Sequence, residues 1–160
     1  MLEVRNLKTE FATGAGRVTV VNSVSFSLAP GKVMGLVGES GSGKSVTGFS
    51  LMGLIDPPGR VSGGEVLFKG TDLLKLPEKE MHKLRGNRIA MIFQDPMMTL
   101  NPVLRIDTQM IETVLAHDNV SRETARQRAR DALGMVGIPS PDERLYVRAA
   151  VQKPTTVAAG

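Results

Sequence analysis

The sequence predicts an α/β fold: a strand-rich start, then a strand, a glycine-rich loop and a helix in direct succession. Three observations carry that prediction. Residues 38–45 read Gly-Glu-Ser-Gly-Ser-Gly-Lys-Ser, the pattern G-x-x-x-x-G-K-[ST] whose backbone cradles phosphate. Apolar and polar residues alternate in the first 28 residues, at strand spacing. From Ser121 to Gly137 an arginine-rich stretch repeats its apolar residues at helical spacing.

Taken in order, LEVRNL (2–7) and VTVVNSVSFSL (18–28) read as strands, with Val18, Val20, Val24, Phe26 and Leu28 as the period-two apolar positions. TGAGR between them is turn chemistry, and Pro30-Gly31 closes the section. KVMGLVG (32–38) is a short continuous apolar run, which predicts a strand buried on both faces. SVTGFSLMGLI after the loop is helical in spacing until Asp56-Pro57-Pro58-Gly59 stops it. GGEVLFKG then reads as a strand, LPEKEMHKLRG as a short helix with Pro77 near its first turn, and RIAMIFQ as a second buried strand. Ser121 is the expected N-cap of the last helix, which places Ala125, Ala129, Ala132, Leu133 and Val136 on one face and ends at Gly137 and Pro139. The final segment, YVRAAVQKPTTVAAG, has no period and reads as a tail.

Composition bounds the function. At 160 residues the chain suits one ordinary domain with at most a small appended subdomain, and 41% apolar with 22% charged residues is a globular balance. A net charge of +4 without basic-aromatic interleaving gives no argument for nucleic acid. The chain has no Cys, hence no disulfide framework or thiol nucleophile, and His82 and His117 stand alone. No charge-free apolar run is long enough for a transmembrane helix, and the start MLEVRNLKTEF has no apolar signal-peptide centre. The chain is therefore expected neither to span a membrane nor to be exported.

The candidate nucleotide-binding residues are Gly38, Glu39, Ser40, Gly41, Ser42, Gly43, Lys44, Ser45 and Val46. Glycines let the backbone close around phosphate oxygens, so that N–H groups converge at the positive end of the following helix. Lys44 is expected to reach the β- and γ-phosphates, and Ser45 to offer its hydroxyl to Mg²⁺. Nucleoside triphosphate binding follows from this. A GTPase is excluded, because N-K-x-D is missing and Asp131-Ala-Leu-Gly134 lies inside the arginine-rich helix.

VNSVSFSLAPGKVMGLVGESGSGKSVTGFSLMGLI, GGEVLFKG and IAMIFQDPMMTLNPVLRI together resemble the ATP-binding subunits of ABC transporters, in particular the oligopeptide/dipeptide/nickel importer type. The similarity runs from about Leu2 to about Leu145. It implies an α/β P-loop NTPase core with an N-terminal antiparallel β subdomain, a partial helical subdomain and an incomplete sheet. Residues 1–105 would be the β subdomain, phosphate loop and Q-loop, 106–145 part of the helical subdomain, and 146–160 a non-family tail. IFQDP followed by LNP looks like that family's Q-loop. By the resemblance Gln94 approaches Mg²⁺ and the attacking water, and residues 95–105 meet a transmembrane permease subunit. Phe11 is the position the resemblance offers for adenine stacking, a core Phe being the alternative.

The resemblance also implies ATP and Mg²⁺ as ligands, a second ATP-binding subunit completing each site, a peripheral place on the cytoplasmic face of the cell membrane, and no nucleic-acid partner. The family's serine-glycine-glycine signature, its strand ending in the Mg²⁺-binding Asp and catalytic Glu, and its switch His are not found in these residues. Val61-Ser-Gly-Gly-Glu65 imitates the signature, but it precedes the Q-loop and reads as a turn. The expectation is an importer subunit for peptides or similar small solutes that binds ATP without hydrolysing it alone. The alternative is a non-catalytic nucleotide-binding fragment, or an inert product of a truncated or frameshifted gene.

Overall fold

In the computed structural model the described residues are 1–93 and 100–148, and they divide into two units, Met1–Met91 and Ile92–Gly160. The first unit is built on a four-stranded antiparallel sheet of order β2-β1-β3-β4, made by β1 (Leu2–Thr13), β2 (Gly16–Leu28), β3 (Gly59–Phe68) and β4 (Thr71–Asp72). Helix α1 (Lys44–Leu51) and helix α2 (Glu78–Leu84) complete it. The core gathers Val4, Leu7, Val21, Val66, Leu73 and Met81.

The three long strands share one irregularity. Asn6 (φ 47°), Ser23 (φ 52°) and Gly64 (φ 93°) all take left-handed backbone where the pairing registers shift. A bulge reverses the parity of inward positions: in β1 Val4 faces the core before it and Leu7 and Thr9 after it. A Cβ on Gly64 would stand 2.6 Å from Arg5 O and Asn6 O, so only glycine nests there. Val24 and Phe26 pack against the core as the even-numbered pattern predicts, but the pattern is corrected before Ser23. Val18 is 50% exposed and Val21 is buried, because the Ser23 bulge breaks the alternation. The reading of Val61–Glu65 as a turn is also corrected, since these residues lie within β3 and are paired with β1.

Helix α1 ends earlier than the Asp56-Pro57-Pro58-Gly59 stop predicts. Gly53 (φ 63°) donates its N–H to Ser50 O and Leu54 donates to Phe49 O, a Schellman closure. Arg85 seals it from α2, donating Nε to Met52 O (2.8 Å) and Nη2 to Gly53 O (3.0 Å) while pairing with Glu78. After β4, Asp72 caps a 3₁₀ turn over Leu73–Lys75, accepting from Leu74 N and Val66 N and facing Lys75 Nζ at 2.9 Å. Burial pushes its carboxyl up, but the Lys75 ammonium and the two backbone donors outweigh that and hold it below the usual carboxylate range.

Two predicted strands are not strands. Lys32–Glu39 joins no ladder among the described residues, and Val33 (99% exposed) and Val37 (93%) stand in solvent. Of the run at 88–94, Ile89 makes a single bridge to Arg85, and Ala90–Phe93 make none. The physical reason is common to both. A buried strand needs neighbours to take its N–H and C=O groups, and no described strand lies beside either run.

The second unit, described by itself, holds α3 (Ile106–His117), α4 (Arg122–Met135) and α5 (Pro141–Leu145) around Ala129, Leu133 and Leu145. The predicted N-cap is present: Ser121 Oγ accepts from Thr124 N at 3.1 Å. Ala125, Ala129 and Leu133 are buried as the spacing predicts, whereas Val136, at the C-cap, is exposed. Val147 O receives the N–H of Ile106, and Arg105 and Arg126 lie over the Tyr146 ring at 4.3 and 4.9 Å. No helix of the described residues is long and apolar enough to cross a membrane.

Candidate phosphate-binding site

The site begins with a turn that frees the chain from the sheet. Pro30 and Gly31 (φ 70°) reverse it after β2, with Lys32 N donating to Ala29 O, and the segment through Glu39 follows without a ladder. Ser42 N donates to Glu39 O at 3.2 Å and closes a second turn, and Gly41 (φ 81°) and Gly43 (φ 90°) bend the backbone into α1. Gly43 is the N-cap residue of α1, with no side chain to cap it.

Each glycine has its own reason. A Cβ on Gly38 would stand 2.6 Å from Ser42 Oγ, and one on Gly43 would stand 2.7 Å from Val20 O in β2. Gly41 meets nothing within 4 Å and is needed for its left-handed backbone alone. The loop is thus pressed against the β1–β2 hairpin at Gly43 and open at Gly41.

Lys44 folds over the loop it follows. Its Nζ donates to Gly38 O at 2.8 Å, Glu39 O at 2.5 Å and Ser42 Oγ at 3.4 Å. The ammonium therefore sits over the concavity that residues 38–43 outline. Ser45 is exposed in the first turn of α1, and Val46 is half-buried against the core of the sheet. The first N–H groups of α1 have no intrahelical acceptors and carry the positive end of the helix dipole. Left-handed glycines at 41 and 43, a lysine ammonium and a helix N-terminus fit an anionic phosphate chain. An exposed hydroxyl at Ser45 fits a Mg²⁺ that keeps most of its waters.

The other predicted site residues are placed as follows. Phe11 lies in β1 between Val18 of β2 and Gly59 of β3, half-buried, with its ring so close that a Cβ on Gly59 would meet it at 2.5 Å. Gln94 lies outside the described residues, as do residues 95–99 of the predicted permease contact. Sequence reasoning missed the support beneath the loop. Thr9 Oγ1 lies 2.7 Å from Ser50 Oγ, and Thr47 Oγ1 donates to Gly43 O at 2.9 Å. The one signal for Thr9 was its place two residues after Leu7 in a strand pattern; nothing in the sequence pairs it with Ser50.

Comparison with known proteins bears on this geometry. The family model described as ABC transporter matches residues 21–157. The oligopeptide transport ATP-binding protein OppD of Bacillus subtilis is 47% identical over 91% of this chain and 41% of its own length. The dipeptide transport ATP-binding protein DppD of Escherichia coli is 46% identical over 92% of this chain and 45% of its own. The chain thus spans less than half the length of these curated relatives. Among solved structures, the dimeric bacterial ABC transporter cassette MJ0796 superposes with a TM-score of 0.77 at 22% identity, covering 92% of this chain and 61% of that one. Its post-hydrolysis state bound to ADP and Pi gives 0.76 at 21%, with the same coverage. At these identities the superpositions establish the fold, a partial ABC ATPase core.

Proposed function

The chain belongs to the ABC transporter family, and from that premise we propose that it binds ATP with Mg²⁺ as part of the nucleotide-binding subunit of an importer for peptides or similar small solutes. The observation that carries the reading is the loop itself, where Gly43 excludes a Cβ against the Val20 carbonyl and Lys44 Nζ lies over the concavity. The names of the relatives supply the solute class.

In this reading the N–H groups of residues 41–45 and the Lys44 ammonium hold the β- and γ-phosphates, Ser45 Oγ takes one position on Mg²⁺, and the Phe11 ring meets the adenine. Gln94 reports the state of the γ-phosphate to a transmembrane permease subunit docked beside residues 95–105. A second ATP-binding subunit completes each site, and the assembly sits peripherally on the cytoplasmic face of the membrane. Bound Mg²⁺ supplies charge neutralisation of the phosphates. The protein's part is to orient and neutralise the triphosphate, and the family's strand ending in the catalytic Glu is not found in these residues. The 160-residue chain alone is therefore expected to bind ATP without appreciable turnover.

Titration of the chain with a fluorescent ATP analogue, with and without Lys44→Ala, tests the reading. Saturable binding that Lys44→Ala weakens by about a hundredfold supports it, and equal binding by both proteins overturns it. The alternative reading is a nucleotide-binding fragment with no transport role. Co-purification with a permease subunit separates the two: retention on the membrane subunit supports the importer, and nucleotide binding without retention supports the fragment.

A further inference from the structure

The buried face of α1 is made of hydroxyls. Thr47 and Ser50 are its buried residues, while Val46 and Leu51 reach only the margin of the apolar core. Ser50 Oγ donates to Val46 O at 2.7 Å. A serine has one hydroxyl proton and a carbonyl can only accept, so in the 2.7 Å contact with Ser50 Oγ the donor is Thr9. Thr9 and Ser50 are both 0% exposed. A directed chain of bonds thus runs from the middle of β1, through Ser50, to the carbonyl of Val46, one residue past Ser45.

The same hairpin touches the loop a second time, where Val20 O of β2 lies against Gly43. One contact is steric and at the helix start, the other is hydrogen-bonded and near its end. Together they fix both the position and the tilt of α1 on the hairpin. Thr47, between them, returns its own hydroxyl to Gly43 O and stiffens the junction.

We infer that Thr9, 35 residues before Lys44 and outside the phosphate-loop motif, is a positioning residue for that loop. Its buried hydroxyl, acting through Ser50, seats α1 so that the N–H groups of Gly43, Lys44 and Ser45 converge on one point. The inference rests on the nucleotide-binding reading above for its ligand, but the seat itself is a property of the free chain. Two buried hydroxyls would otherwise be a poor choice beneath a helix. An apolar pair of the same shape would pack there without a polar group to satisfy, but it would not be directional.

The test uses the whole chain with Thr9→Val, Thr9→Ser, Ser50→Ala and the double variant Thr9→Val/Ser50→Ala. Affinity is read by titration with the fluorescent ATP analogue, and local order by amide hydrogen exchange in α1 and in the β1–β3 ladder around Val4 and Val66. Thr9→Val is expected to weaken binding roughly five- to tenfold, as a buried acceptor loses its donor. Thr9→Ser, which keeps the hydroxyl, returns affinity to within about twofold. Ser50→Ala, which strands the Thr9 proton, weakens binding at least as much as Thr9→Val, and the double variant loses less than the product of the two. In free protein, exchange of the Thr47 amide quickens in Thr9→Val and not in Thr9→Ser, while the ladder keeps its rate.

Wild-type affinity and α1 exchange in Thr9→Val overturn the inference. So does a loss that Thr9→Ser fails to rescue, or a ladder that quickens in step with α1, which marks general loosening of the unit. Lys44→Ala distinguishes the two claims. If it binds as wild type does, the nucleotide reading fails and the exchange measurements still decide the seat; if it weakens binding and Thr9→Val changes nothing, the seat alone fails.

Discussion

Two adjacent segments of the first unit, residues 32–37 and 38–51, differ in what holds them. The phosphate loop and α1 are fixed by bonds made mostly within fourteen residues: the turn at Ser42, the left-handed glycines, the lysine folded over its own loop, and the closure at Gly53. Val33 and Val37, a few residues upstream, have apolar side chains and nothing beside them. A loop with most of its bonds inside its own segment draws little on distant strands for its shape, and the few outside contacts, from Thr9, Val20 and Arg85, set where it sits. An apolar strand has form only when its neighbours are present, because its backbone groups have no partners of their own.

That contrast can be broken experimentally, and the largest effect is expected at Lys44. Lys44→Ala should reduce affinity for the ATP analogue by about a hundredfold, since a charge-assisted contact to the phosphates is lost; the titration described above measures it. Gly43→Val should be next, destabilising the first unit by about 2–4 kcal/mol in urea unfolding, because a branched Cβ meets Val20 O and φ is 90°.

Asp72→Asn should cost about 1 kcal/mol, through a weakened cap and the lost ion pair with Lys75. The sign of its pH dependence follows from the depressed carboxyl. Its contribution is present above the carboxylate range of the unfolded chain and is lost as pH falls through the lower folded value. The difference between wild type and Asp72→Asn in urea unfolding should therefore shrink below about pH 4. The smallest effect is expected at Val37→Lys, within about 0.5 kcal/mol of wild type, because that side chain is 93% exposed. Light scattering should at the same time show less association, since an exposed apolar run is interrupted by charge. A large loss of stability at Val37 would show that the run is packed in solution and would erase the contrast.

Legibility in the sequence follows the same division. The loop at 38–45, the turn at 14–15 and the Ser121 cap could be read because each is set by residues within a few positions of one another. One strand phase could not be carried across Asn6 in β1 or across Ser23 in β2, where left-handed residues without a glycine give no warning of a bulge; after Ser23 the positions of Val24 and Phe26 were legible. The helix stop at Gly53 was passed over for the more conspicuous Asp-Pro-Pro-Gly, although one glycine with two backbone bonds suffices. Val61–Glu65 looked like a turn because of its glycines, but Gly64 is there to let β3 pass close to β1. Of the candidate site, the phosphate contacts were legible and the seat under α1 was not. Thr9 and Ser50 are 41 positions apart, and either alone is an ordinary polar residue.

The closures at the two ends of α1 turn the helix into a ruler. Gly43 is pinned against Val20 at one end, and Gly53 is pinned by Arg85 at the other. Eight helical residues span the gap, so one residue more would rotate every side chain beyond it by about 100° and add about 1.5 Å. An insertion between Lys44 and Leu51 could not be absorbed without breaking one pin, whereas the turn at Gly14-Ala15, which touches neither, has room for extra residues. Extra residues are therefore expected to be tolerated at the hairpin tip and not within the helix.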